Sequence, residues 1–497
     1  MKQKFLIIFS ALTLVMALPS CKKYLDINTN PNAATTLDPK LLFSYAVTSY
    51  VNLRSSGDLY FPTALAGQTV SDGFNNPTGF ATGVLSEQEY RIDPLIYGNP
   101  WRAYYTSIGN NLKQAISIAE SANPRNNNAA AQCKVILALV YYELATLYGD
   151  VPYIESFNSE IIYPKFDTQE VALNGVIATL DEAIAQFDLR VPPAVSVTPP
   201  KISDYDLFYK GDLGKWVRLA KSVKMRTLLT MVDKDPSKAA AIGAMMTAGG
   251  MVSSTVDNFQ VPFQNIQQKF NPRYDLSARF NGGQEILFAS KWVTDYMDPM
   301  NDPRLPRYFD LPAGQTHYIG VQPGADGFDN INPRLSITNL HKPDQPETVY
   351  TYQDQLFYEA EIYARGIGVP QDIAAANTLL KAAVNASCEF YGVASATANA
   401  FSASLPTYAG GTGASSVLYN INYQHWVDLM DRGLDAFTQF RRSGPEGSEV
   451  PALTIPLQAP TNGLFRRYEY PISNEINQNP NAPKVIPKYY EKTWFDL

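Results

Sequence analysis

The stretch "AAAQCKVILALVYYELATLYGDVPY", residues 129–153, decides the fold class. Apolar side chains fall nearly all round a helical wheel from Ala129 to Tyr148, the pattern of a helix buried on every side. Gly149-Asp150, with Pro152 beyond, supplies the stop signal. Working outward, Trp101 to Ala122 reads as its hairpin partner. "TQEVALNGVIATLDEAIAQF" opens a third helix on Thr168 as N-cap, with Val171, Ile177, Leu180 and Ile184 on or near one face. A fourth helix runs from Leu213 to Val232.

The pattern returns downstream. "YQDQLFYEAEIYARGIGVPQDIAAANTLLKAAVNASCEFYGV" reads as helix, Gly/Pro break, helix, with Ile373, Leu380, Val384 and Cys388 at helical steps. "YQHWVDLMDRGLDAFTQFRR" reads as one helix with a 3.6-period stripe through Trp426, Leu429, Met430, Gly433, Leu434, Phe437 and Phe440. Asp428, Asp431, Arg432 and Asp435 take its opposite side. Hairpins of about 35–45 residues suggest a tetratricopeptide-like stack, which usually binds through a concave face. Between the hairpins, residues 54–100 and 252–350 hold turn residues, aromatics and short apolar runs. Segments that long inside a folded chain are commonly functional, and their aromatic richness argues against disorder. The expected fold class is mostly α, with helix pairs (about 101–232 and 352–443) supporting an irregular, loop-rich half with few short strands.

The 497-residue chain has a formal net charge of −7. That length allows a large core, and the acidic balance excludes nucleic acid as partner, which needs a basic footprint. Tyr (31) outnumbers Phe (24), a bias that suits recognition of polar ligands, although core tyrosines account for most of them. The first twenty residues read as a signal peptide: Lys2 and Lys4, then an apolar run from Phe5 to Leu18 that is too short to span a bilayer comfortably. It ends in Leu18-Pro19-Ser20-Cys21, a lipobox-like sequence that makes Cys21 the expected lipidated N-terminus, with residues 21–37 as tether. Residues 38–497 then form one domain.

No nucleophile elbow, zinc motif, phosphate loop or dinucleotide fingerprint occurs. His317, His341 and His425 are scattered singly, so neither a metal nor a cofactor is expected. "DINTNPNAATTL" from Asp26 starts like a calcium loop but fails at Pro31 and Leu37. Cys133 and Cys388 sit in helical patterns and read as small buried thiols. Lys215, Arg218, Lys221 and Lys224 read as a solvated helix face, Trp216 and Trp426 as core, and Arg441-Arg442 as packing or helix-end charge.

"SCKKYLDINTNPN", "YGDVPY", "KWVRLAKSVKMRTLL", "YEAEIYARG" followed by "EFYGV", "YQHWVDLMDRGLDAFTQFRRSG" and "RRYEYPISNEINQNPNA" occur in this order. Together they resemble the SusD/RagB family of outer-membrane nutrient-binding lipoproteins, in its SusD-like branch. The resemblance implies helix pairs carrying an irregular ligand-binding half, and binding without catalysis. It also implies a partner, a SusC-like TonB-dependent transporter to which a captured oligosaccharide, or sometimes a peptide, is delivered at the cell exterior. A protein-binding scaffold without small-molecule ligand is the remaining alternative. Lys22 and Lys23 follow the cysteine where surface-exported relatives often carry acids, so the outward orientation rests on the family alone.

A sugar ring presents an apolar face and a fringe of hydroxyls, so its site needs aromatic platforms with polar neighbours. "VSDGFNNPTGF" supplies Asp72, Phe74, Asn75, Asn76 and Phe80. The second irregular segment supplies Arg273, Tyr274, Trp292, Tyr296, Asp298 and Tyr318. Trp292 is the best single platform, although "ILFASKW" also reads as a strand that packs it inside.

Overall fold

The computed structural model describes residues 38–72, 94–190, 205–279, 282–325, 330–444, 451–457, 459, 463–472 and 474–497. Cys21 and its tether, Phe74, Asn75, Asn76 and Phe80 lie outside them, as does the side chain of Asp72. The helical half begins with α1 (Pro39–Arg54), α2 (Gly57–Ala66) and α3 (Pro94–Arg102). A π-helical stretch over Ala103–Asn110 joins α3 to α4 (Asn111–Ser121). Then come α5 (Asn127–Tyr148), α6 (Gln169–Gln186), α7 (Leu213–Met231) and α8 (Lys238–Ala248). Neighbouring helices pack in sequence order: α1 on α4, α4 on α5, α5 on α6, α6 on α7 and α7 on α8. α5 is buried almost all round, as its composition requires. Its N-terminus is closed by Asn126, whose side chain accepts from the Ala129 N–H at 3.2 Å, and its C-terminus by Gly149 at φ 82. Thr168 caps α6 by accepting from Val171 N at 3.3 Å.

The strands are short. β1 (Val70–Asp72), β3 (Leu287–Ala289), β5 (Arg334–Leu335) and β4 (Phe309–Asp310) form an antiparallel sheet in that spatial order. β2 (Phe259–Val261) pairs with β6 (Glu347–Tyr350). α9 (Lys291–Met297) follows β3 directly. A further helix pair, α10 (Tyr352–Arg365) and α11 (Ile373–Phe390), is followed by α12 (Ser395–Ser404), α13 (Val417–Asp428) and α14 (Gly433–Arg442). A reciprocal capping box, Thr351 with Asp354, starts α10.

Three sequence readings need correction. Residues 54–100 contain α2 and part of α3, not only irregular chain. Pro62 and Pro100 sit inside these helices, and proline there reads as a breaker, but burial of α2 from Leu59 to Ala66 overrides that propensity. The helix read over 423–442 is two helices, with a break at Leu429–Arg432. Its polar side faces inward rather than to solvent: Asp428, Asp431 and Arg432 are all buried. The basic row on α7 is also not simply solvated, since Arg218 pairs with Asp257 at 2.8 Å and Lys224 with Asp181 at 2.5 Å.

One apolar core lies among α1 and α4–α7, with Trp216 fully buried in it. A second surrounds Trp426, β1 and β3, and a third lies among α10–α13. Cys133 and Cys388 are free and buried, and burial pushes the Cys388 thiol up to about 12.

A chain of buried charges joins the helical stack to the irregular half. Arg54 pairs with Glu143, with Glu347 at 3.0 Å and with Asp435 at 2.5 Å. Arg273 continues it to Glu347 (3.1 Å) and Asp431 (3.2 Å), and His341 to Asp431 (3.3 Å) and Glu285 (2.8 Å). At the end of α14, Arg442 holds Glu361 at 2.7 Å, and Arg441 donates to Thr146 O at 2.6 Å.

Candidate functional site

β3 ends at Ala289, and Ser290 Oγ accepts from Trp292 N at 3.3 Å to start α9. Four residues apart on a helix, Trp292 and Tyr296 share one face. Gly320 allows the chain after Tyr318 to lie against this turn: a Cβ there would stand 2.5 Å from Ser290 O and Thr294 Oγ1. Gly320 N donates to Thr294 Oγ1 at 3.0 Å, and Tyr318 N to Asp298 Oδ1 at 3.2 Å. Trp292, Tyr296 and Tyr318 are thereby brought together, half-buried against the core around Trp426.

α13 supplies the other wall. Tyr419, Tyr423 and Trp426 fall at helical spacing. Tyr296 stacks on Tyr423 with centroids 3.7 Å apart and planes at 12°. Tyr423 meets Trp426 edge-on at 5.5 Å, and Tyr419 lies tilted at 5.5 Å. Hydrogen bonds fix the rings. Trp292 Nε1 donates to Gln68 Oε1 at 2.7 Å, and Tyr423 Oη donates to the Trp292 carbonyl at 2.8 Å. Tyr296 Oη donates to Asn420 Oδ1 at 3.3 Å and accepts from Gln424 Nε2 at 3.2 Å. Gln68 is held at φ 52 with its amide donating to Thr454 O at 2.6 Å. Burial first, then Asp298, raises the Tyr318 phenol, and burial raises that of Tyr419, so these rings stay neutral donors at physiological pH. Trp292, Tyr296, Tyr318 and Tyr419 are half-buried, while Tyr423, Gln68, Asn420 and Gln424 are buried behind them and hold the rings in place. Among the described residues there is no group of three His, Cys, Asp or Glu that could hold a metal.

The other sequence candidates fall elsewhere. Arg273 is 2% exposed, inside the buried charge chain and over the Tyr60 ring at 5.0 Å. Its surroundings make it a core cation rather than a surface group, because the carboxylates that recruit it, Glu347 and Asp431, are distant in sequence. Tyr274 forms a separate ring pair with Phe270 at 5.4 Å. Trp292 sits on a helix after the strand, half-buried. Asp72 ends β1, paired with Leu287. Gln68, Tyr419 and Tyr423 were not singled out by sequence. The Tyr419-Tyr423-Trp426 spacing was the available signal, hidden because tyrosine at helical spacing ordinarily means core.

A groove of 440 Å³ lies on the helical side among Trp101, Tyr105, Phe157, Ile162 and Ile472. Its Asn479 amide is already engaged with Pro164 O at 2.8 Å, and Ile162 and Ile472 make an aliphatic rim. Asn99, Arg102, Thr106, Asn110 and Ser156 also line it.

A family model described as "Starch-binding associating with outer membrane", SusD-like, matches residues 31–471. No curated protein matches in sequence. Solved structures share the fold. A chitin-binding protein is 22% identical with TM-score 0.73, covering 93% of this chain and 100% of its own. A SusD homolog from Parabacteroides distasonis is 17% identical with TM-score 0.73, covering 92% and 97%. A chitin-binding SusD homolog from Flavobacterium johnsoniae is 19% identical with TM-score 0.71, covering 92% and 97%. With the family model spanning nearly all of the helix pairs, the sheet and the aromatic rim, the chain belongs to the SusD-like family.

Proposed function

We propose that this chain binds a nutrient oligosaccharide at the outer membrane, without turnover, and delivers it to a SusC-like TonB-dependent transporter. Cys21 carries the lipid that anchors it facing the cell exterior. The observation that carries the reading is the fixed aromatic rim, Trp292, Tyr296, Tyr318 and Tyr419, held from beneath by the buried Tyr423 and Gln68, in a chain whose family is described as starch-binding. Two of the similar structures are chitin-binding proteins by description, which supports a glycan over a peptide. Asp72, Phe74, Asn75 and Asn76 are proposed as further ligand contacts.

Titration calorimetry with malto- and chito-oligosaccharides, and with oligopeptides as the competing class, tests this. Saturable binding of a glycan with no cleaved product is expected, weakened at least about tenfold by Trp292→Ala, a loss of ~1.4 kcal/mol. Unchanged affinity in Trp292→Ala and Tyr296→Ala together would refute the rim, and peptide binding alone would favour the oligopeptide reading. Cys21→Ala should release the protein from membranes.

A further inference from the structure

Away from the rim, the N-terminal side of β2, the turn before β6 and the end of α11 enclose a cleft of 380 Å³. Two cations line it, Arg307 and Lys342, and no carboxylate does. In a chain of net charge −7, that local balance marks a site for negative charge. The cleft is built rather than incidental. Arg307 Nε donates to Tyr391 O at 2.8 Å, which fixes the guanidinium plane. Gly392, at φ 78, leaves room for it, since a Cβ there would stand 2.6 Å from Arg307 Nη2. Asn258 is 9% exposed, and its Oδ1 accepts from Tyr352 N at 2.9 Å, so its Nδ2 is the group left to donate. Gln345 is 8% exposed, its Nε2 donating to Asp431 Oδ2 at 3.2 Å, which leaves its carbonyl oxygen as an acceptor. Phe390 adds a half-buried ring. Asp344, half-exposed, lies 3.8 Å from Lys342 Nζ.

A fixed guanidinium presents paired N–H groups that match a carboxylate or sulfate. A lysine, an amide donor, an amide acceptor and a ring suit the rest of a substituted sugar. We propose that this cleft is a second binding site, selective for an anionic saccharide unit, a uronic acid. It is separate from the rim and does not depend on what binds there.

Ligand-observed NMR on the full chain with D-glucuronate, with glucose and inorganic sulfate as separate arms, tests it. Glucuronate should bind, weaken with added salt, and resist competition by glucose. Affinity should fall about tenfold in Arg307→Gln and severalfold in Lys342→Gln, which lies on the surface and leaves the Arg307 bond to Tyr391 intact. Glucuronate binding unchanged in both variants, or absent from the wild type, would overturn the proposal. Sulfate binding without glucuronate binding would overturn it too, leaving an adventitious ion only. Neutral-oligosaccharide binding at the rim, measured in the same samples, should be unchanged, so failure of one site is distinguishable from failure of the other.

Discussion

Replacing Arg54 by Met tests the buried charge chain at its hub. Three carboxylates share this guanidinium, but they depend on it unequally. Glu347 keeps Arg273 at 3.1 Å and Ser55 Oγ at 2.6 Å, and Asp435 keeps Arg226 at 3.3 Å. Glu143 keeps only the Tyr50 and Tyr104 hydroxyls, at 2.6 and 2.7 Å. The loss therefore concentrates on Glu143. Removing one partner of a buried pair costs about 3–5 kcal/mol, because the other charge is left uncompensated. In the Arg54→Met background, Glu143→Gln removes that stranded charge and should recover most of the loss, a positive coupling of roughly 1–3 kcal/mol in the cycle. Burial already raises the Glu143 carboxyl while Arg54 opposes it, so without Arg54 the upward push dominates. A carboxyl raised in the folded state favours folding below its unfolded pKa, about 4.3, and loses that contribution as pH rises through the folded value. Arg54→Met should accordingly be less destabilised near pH 5 than near pH 8. Urea unfolding followed by far-UV circular dichroism measures wild type, both single variants and the double variant at both pH values. A double variant as unstable as Arg54→Met, with no pH dependence in the deficit, would refute the assignment of the cost to Glu143.

Two further outcomes follow from shifted groups. Burial pushes the Glu361 carboxyl up, but Arg442 and Arg365 outweigh it and hold it down at about 2. Its contribution is thus present above the unfolded value and lost as pH falls through about 2, so acid unfolding should show the stability gap between wild type and Glu361→Gln narrowing below about pH 4.3. Burial pushes His341 down, but Glu285 and Asp431 outweigh it and raise it to about 9, with Tyr60 Oη also facing the ring at 2.9 Å. The imidazolium's contribution is complete below about 6.5 and lost as pH rises through about 9, so the gap between wild type and His341→Gln should close on the alkaline side.

The helix pairs were legible because each carries a local signature: all-round apolarity in α5, Thr168 at the start of α6, the Gly/Pro break between α10 and α11. Trp292, Tyr296 and Tyr318 were legible as site candidates because aromatics in turn-rich chain have few structural explanations. Arg273 was misread because burial by distant carboxylates leaves no local mark. α2 was missed because Pro62 and Gly57 speak for a turn when only neighbours are considered. The inward charges of α13 and α14 were hidden for the same reason: Asp428 and Arg432 look like a wet face until Asp354 is brought against them, paired with Arg432.

Gly433 shows how a packing contact far from the rim sets the rim's geometry. A Cβ at Gly433 would lie 2.8 Å from both Cβ and N of Ala64, so α14 approaches the backbone of α2 through this glycine. Two residues past the end of α2 stands Gln68, the acceptor for Trp292 Nε1, and Gly67 O accepts from Trp426 Nε1 at 2.8 Å. Gly433→Ala must push α2 and α14 apart, and α2 cannot move without carrying Gly67 and Gln68. Overpacking of this kind costs about 1–3 kcal/mol. Beyond that loss, the variant should weaken oligosaccharide binding, because the bonds that orient Trp292 and Trp426 share the displaced segment. Gly98→Ala is the control: a Cβ there meets only Pro471 Cβ, at 3.5 Å, an ordinary contact. Urea unfolding and titration calorimetry on both variants separate the effects. Gly433→Ala destabilised but binding as wild type would mean that α2 does not position the rim, and Trp292 would then owe its orientation to α9 and Tyr423 alone.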